Sequence, residues 1–293
     1  MKYGFMQAHA VEFSIERMSS VFKVSRSGYY QFLRAKPTKR AQENNRLLLK
    51  IKATHQSSRQ TYGSPRIHAE LREEGERCSR KRVARIMKKA GILAKMKRRF
   101  KVTTRANPNA TVAPNLLQQD FTANLPNQHW VADFTYVSTR EGWLYVATVL
   151  DLFSRRIVGL SMNERMTDDL VMSALQQALT HREYSAGIMH HSDRGSQYTS
   201  KHFRELLKKH GIIASMSGAG NCYDNAAMES FYHTLKTEHI YFEHYNTREE
   251  AKRSIFEYIE IFYNRQRRHS TLGYVSPMVY EMQWQQQAGG FSS

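Results

Sequence analysis

The chain has 293 residues, enough for two domains or for one large and one or two small ones, and its formal net charge of +18 with a pI near 9.9 points to a polyanionic partner. Residues 1–115 carry 27 Lys and Arg against 7 Asp and Glu, whereas 116–293 carry 17 against 19, so a basic gripping module precedes a near-neutral one. Two cysteines, Cys78 and Cys222, are too few for a zinc site or a disulfide framework, no apolar run approaches the roughly 18 residues of a spanning helix, and the start lacks a secretory leader; the expectation is a soluble, cytoplasmic protein.

Residues 10–35 read as two or three short helices, with Ile15, Met18, Val21 and Phe22 at apolar spacing and Ser19 and Ser25 as caps. Residues 24–30, VSRSGYY, read equally well as the turn and second helix of a helix-turn-helix or as a plain helical hairpin. Residues 41–55 are helical with Leu47, Leu48 and Ile51 inward. Ser64 as cap and Pro65 at the first helical position open a helix that Gly75 closes, and Ser79 opens another that Gly91 closes. In the latter, Val83, Ile86, Met87 and Ala90 form a buried stripe, leaving Arg80, Lys81, Arg82, Arg85, Lys88 and Lys89 on the other faces. A solvated basic face is the plain explanation, but two capped helices joined by a short turn, the second this cationic, favour DNA recognition. Lys97, Arg98, Arg99 and Lys101 then continue the charge without apolar periodicity, as an arm along phosphates or a linker that orders on DNA. Prolines and asparagines between 107 and 115 mark a junction.

Beyond it the pattern changes to strands over 129–139, 143–152 and 156–162, joined through Glu141-Gly142 and Ser154-Arg155 as an antiparallel meander. A helix capped by Thr167, a strand at 187–191, a helix at 200–210 and a strand at 212–216 follow. The residues divide into a helical unit at 1–58, a second helical unit with its basic linker at 59–115, an α/β core at 116–244, and a last helix opened by the capping box Thr247 to Glu250, with a frayed polar tail, at 245–293. Arg265, Arg267, Arg268 and His269 form a basic patch, a candidate second DNA contact.

Three acids stand out. Asp133 lies inside an apolar strand, where an unmatched charge is costly, and Asp193 follows a short strand, at a position where open sheets place ligands. Glu229 lies on a helix over 221–236 whose Met228, Phe231, Tyr232 and Leu235 face the core. Lys236, seven residues on, shares the Glu229 face roughly 10 Å along the axis. Converging carboxylates repel one another, and binding Mg²⁺ or Mn²⁺, hard ions that prefer oxygen, resolves the repulsion. Asp168 and Asp169 suit a helix's first turn, Asp224 a helix cap, and Asp151 is a reserve ligand. Gln197 and Tyr198 stand near enough to Asp193 to touch DNA, although packing explains them nearly as well.

This order of Asp133, Asp193, 35 intervening residues, Glu229 and Lys236, with the words HWVADFTYV, HSDRGSQYTS, GNCYDNAAMESFYHTLKTE and YNRQRRHSTLGYVSP, resembles the catalytic core of retroviral-type integrases and, more closely, bacterial insertion-sequence transposases encoded by the second of two overlapping frames. Residues 62–67, YGSPRI, are similar to the second helix-turn-helix unit of those transposases. The resemblance implies a ribonuclease H-like fold, a mixed five-stranded sheet with flanking helices behind an all-helical amino-terminal region. It also implies Asp133, Asp193 and Glu229 as catalytic ligands of two Mg²⁺ or Mn²⁺ ions, nicking of element ends, and joining of the freed 3′-hydroxyl to double-stranded target DNA. Lys236 would meet a phosphate or base near the cut, and the protein would act as a homo-oligomer on DNA, with the product of an upstream frame as a possible partner. A pure DNA-binding regulator would leave the acids dispensable; a nuclease on the same fold would cut without joining.

Overall fold

The structure, a computed structural model, describes residues 2–34, 36, 38–95, 112–182, 186–218 and 222–289. Strands β1 (His129–Thr139), β2 (Gly142–Asp151) and β3 (Ile157–Asn163) form the expected antiparallel meander, and β4 (Met189–Ser192) and β5 (Ile213–Met216) run parallel to β1. The sheet order is β3-β2-β1-β4-β5. Helix α7 (Asp168–His181) crosses from β3 to β4, α8 (Lys201–Lys209) from β4 to β5, and α9 (Ala226–Glu238) follows β5. This is the ribonuclease H-like order.

Strand alternation divides the core. Trp130, Ala132, Ala147 and Val149 face α7 and α8, where Leu170, Ala174, Phe203 and Leu207 cover them; Val131, Val137, Val146 and Leu150 face α9 through Met228, Phe231 and Leu235. Gly159 lets α7 lie close on β3, since a Cβ there would stand 2.1 Å from the Ala174 carbonyl oxygen.

Helices α1 (Lys2–Ala8), α2 (Ile15–Phe22) and α3 (Arg26–Arg34) share a small separate core of Met6, Met18 and Tyr29. Ser25 accepts from the Gly28 amide as expected. Ser14, not Ser19, caps α2; Ser19 is buried inside that helix, and Val21, expected inward, is 72% exposed. Helix α4 (Lys39–Ser57), expected with the residues before it, instead packs on α5 (Ser64–Glu73) and α6 (Arg80–Lys89) through Leu47, Ile51, Ile67, Leu71 and Val83. Gly63 rather than Ser64 is the residue before α5, while Ser79 caps α6 by accepting from the Arg82 amide. This three-helix core runs without a break into the α9 side of the sheet.

Thr247 caps α10 (Arg248–Phe256) and accepts from the Glu250 amide, and the helix continues as a π-helix over Glu257–Tyr263. From Gln283 as far as residue 289 the tail is helical rather than frayed, as part of α11 (Pro277–Gly289), and residues 290–293 lie outside the described residues. Its buried Glu281 accepts from Ser154 at 2.6 Å and from Arg156 and Arg182 at 2.8 Å, a set of partners invisible in the local sequence.

Candidate active site

The parallel pairing of β1 with β4 matches Val131 with His191, so Asp133 and Asp193 each lie two residues past that pair, at the end of the short strand. By strand alternation Asp133 shares the Val131 face, the one covered by α9. Helix α9 is held there by its apolar stripe and by Tyr232, whose hydroxyl donates to the Asp133 carbonyl at 2.8 Å and lies 2.9 Å from the Thr148 hydroxyl. Asn225, just before α9, donates to the Ala132 carbonyl at 3.2 Å. Asp133 itself accepts from the Phe134 amide at 2.8 Å and Asp193 from the Gly195 amide at 2.9 Å.

Burial, the Asp193 carboxylate and, more weakly, Glu229 push the Asp133 carboxyl up to about 8, against the Phe134 amide and the Lys236 ammonium. Burial also raises Asp193. Lys236 is half-buried, 5.5 Å from the centre of the Tyr136 ring; burial lowers its pKa and the Asp133 charge opposes that. Glu229 is exposed in the first turn of α9. Thus Asp193, the helix acid Glu229 and Lys236 each act on Asp133. Yet among the described residues no three His, Cys, Asp or Glu side chains stand close enough to hold a metal ion. The loop leading into α9, with Ala219 and Gly220, lies outside the described residues.

The donor chemistry nonetheless fits a hard divalent cation. The three side chains offer only oxygen, and a cation would ionise the carboxyl that burial and its neighbours keep protonated. A second observation agrees: the Asn225 Oδ1, buried beside the Asp133 strand, has no hydrogen-bond partner among the described residues and could accept from a cation's water. Sequence reasoning placed Tyr232 in the apolar stripe and overlooked its hydroxyl, and it passed over Asn225. Only their positions flanking Glu229 could have signalled them.

The other acids have structural work. Asp151, the reserve ligand, is buried 3.0 Å from Arg182 and accepts from the Asn127 and Phe153 amides, so it is unsuited to that role. Asp224 does not cap α9; it takes the Gly218 amide at 2.7 Å and the side-chain amides of Asn115 and Gln119. Asp168 and Asp169 do occupy the first turn of α7, with Asp168 3.1 Å from His202. Gln197 and Tyr198 are both buried, Tyr198 among His190, Phe134 and Phe203, which favours the packing explanation of the two.

On α6, Arg80, Lys81, Arg85, Lys88 and Lys89 are exposed, as a DNA-facing surface requires. Arg82 is turned inward, 2.9 Å from both Asn44 and Glu43. Lys97, Arg98 and Arg99 lie outside the described residues. The Arg265 to His269 patch is not a free basic surface: Arg267 is 3% exposed and clasps Glu238, and Arg268 pairs with Glu70 and Glu73.

Comparison with known proteins accords with this architecture. Integrase core domain models match residues 123–222 and 229–284, and an HTH-like domain model matches 42–100, which spans α4 to α6. An insertion element IS600 31 kDa protein of Shigella sonnei is 50% identical over 271 residues, 92% of this chain and 100% of that protein. The transposase InsF for insertion sequence IS3A of Escherichia coli (strain K12) is 44% identical over 283 residues, 96% of this chain and 98% of that protein. Among solved structures, the intasome of simian T-cell lymphotropic virus with PP2A regulatory subunit B56 gamma matches 79% of this chain and 74% of that one at 14% identity and a TM-score of 0.47. Similarity this high across almost the entire length means that the chain belongs to the insertion-sequence transposases built on an integrase core domain.

Proposed function

We propose that this transposase nicks the ends of its insertion sequence and joins the freed 3′-hydroxyl to target DNA by direct attack on a phosphodiester. The observation that supports this most is that the β1–β4 register brings Asp133, inside β1, beside Asp193, just past the end of β4, close enough for the Asp193 charge to act on Asp133. Asp133, Asp193 and Glu229 would hold two Mg²⁺ or Mn²⁺ ions, which when bound activate the attacking hydroxyl and stabilise the leaving oxygen. The chain's own part is positioning. The Phe134 and Gly195 amides fix one oxygen of each aspartate, which leaves the other directed by its surroundings. Tyr232 locks the Asp133 backbone to α9, so the strand acids and the helix acid keep a common frame. Lys236 supplies positive charge beside Asp133 for a DNA phosphate near the cut. The exposed cations of α6 hold the element end, and a second copy of the chain would hold the other end.

A strand-joining assay with Mg²⁺ on DNA carrying the element's own terminal repeats tests this. Wild type should join strands, and Asp133→Asn, Asp193→Asn and Glu229→Gln should each lose on the order of 10²-fold or more in rate while still binding DNA. Three variants that join at the wild-type rate would remove the site assignment, and cutting without joining would make the chain a nuclease.

A further inference from the structure

Glu238 closes α9, nine residues after Glu229, and is only 6% exposed. Its two oxygens take Arg267 as a fork, Nη2 at 2.6 Å and Nε at 2.7 Å, and Oε2 also accepts from the Tyr258 hydroxyl at 3.1 Å. A second guanidinium, that of Arg66, stands 3.6 Å from Oε1. Arg66 belongs to α5, in the helical unit that carries the cationic α6, so the Glu229 helix and the DNA-recognition unit meet on one buried carboxylate.

The contact is braced on both sides. Arg66 Nε donates to the Arg268 carbonyl at 2.9 Å; the Tyr62 hydroxyl donates to the Gln266 carbonyl at 3.1 Å and accepts from the Arg268 amide at 2.7 Å. The Arg268 guanidinium reaches back to Glu70 and Glu73 on α5. On the other flank Arg59 pairs with Glu257 at 2.5 Å and lies over the Phe262 ring, both in the π-helix, whose Tyr263 packs edge-on against Phe231 of α9. A π-helix is rare and concentrates at functional positions. Glu238 and Arg267 are the buried pair among these ions, and because taking charges out of water offsets much of their attraction, such a pair contributes fixed geometry more than net stability.

Resting on the transposase reading above, we infer that Glu238 is a positioning residue that ties the Glu229 helix to the DNA-recognition unit, so that the repeat read by α6 and the phosphodiester cut at Asp133 are held at one spacing. Arg66, Arg267 and Arg268 are the fastenings. The distance from recognised bases to cut bond is then held by this junction.

The test uses the full chain and a labelled DNA fragment bearing the element's own end. Binding is read by mobility shift, and the cut position on a sequencing-resolution gel. Glu238→Gln and, at the more exposed side, the pair Glu70→Gln with Glu73→Gln should bind the fragment within about twofold of wild type, yet cut at several neighbouring positions and about tenfold more slowly. The charge exchange Arg268→Glu with Glu70→Arg and Glu73→Arg should restore the single cut. A single cut at the wild-type position in both weakened variants overturns the inference, as does loss of DNA binding in step with loss of thermal stability in both. A wild-type chain that never cuts the fragment counts instead against the proposed function.

Discussion

At the scale of single residues, the histidines before Asp193 show how the fold uses neutral rings. His190 is buried among the Tyr198 and Phe203 rings, and burial lowers its pKa from 6.5 to about 3. His191 is held between the Ser215 hydroxyl at 2.8 Å and that of Ser217 at 3.1 Å, and burial lowers it to about 4. A depressed histidine pKa means that the unfolded chain takes up a proton first as pH falls. The stability it supplies is therefore complete above 6.5 and is lost as pH falls from there toward 3. His190→Phe removes the titrating group and keeps an aromatic ring in an aromatic pocket. Urea unfolding should place the variant within about 1.5 kcal/mol of wild type near neutrality. Near pH 5 the variant should be spared a loss of about 2 kcal/mol that wild type suffers. Equal acid sensitivity in the two proteins would mean that His190 is not held neutral by the fold.

At the scale of elements, the strands and the first helices of the core were legible because each carries its own signal: alternation in β1, and in α7 an apolar stripe with first-turn acids, although Thr167 before it makes no side-chain capping bond. Helix α11 was not. Its sequence is polar, and Glu281 reads as a solvent residue because its partners Ser154, Arg156 and Arg182 lie about a hundred residues earlier in the chain. The same network holds Asp151 through Arg182, so the C-terminal helix, the β2–β3 turn and the end of α7 form one electrostatic joint. Removing one member of such a joint strands the others in a buried place. Glu281→Ala should cost about 3–5 kcal/mol by denaturant unfolding, far more than a polar tail would predict. A loss under about 1 kcal/mol, as for an exposed ion pair, would show that α11 contributes little to the fold.

At the scale of the whole molecule, the sequence separates a basic half from a near-neutral one, and under the proposed function the spacing of Asp133, Asp193 and Glu229 marks where cutting belongs. The junction between the halves stayed hidden. Residues 265–269 look like a basic surface because their counter-charges, Glu70, Glu73 and Glu238, come from two distant helices. Likewise Arg82 counts as one of six cations on α6 until Glu43 and Asn44 are seen to hold it. Formal charge therefore overstates what the molecule offers to DNA, and salt dependence measures the difference. Each phosphate neutralised releases counterions, and the logarithmic slope of affinity against salt falls by about 0.9 per lost contact on duplex DNA. Titrating a terminal fragment by fluorescence anisotropy between about 50 and 200 mM salt, the pair Lys88→Gln with Lys89→Gln should lower that slope by about 2, since both side chains are exposed on α6, the helix proposed to hold the element end. Arg82→Gln should leave the slope unchanged within about 0.3 while lowering the unfolding midpoint, because its charge is spent inside the protein. A slope that drops for Arg82→Gln by about 0.9, half the drop of the lysine pair, would place Arg82 on DNA and reverse this division of the α6 charges.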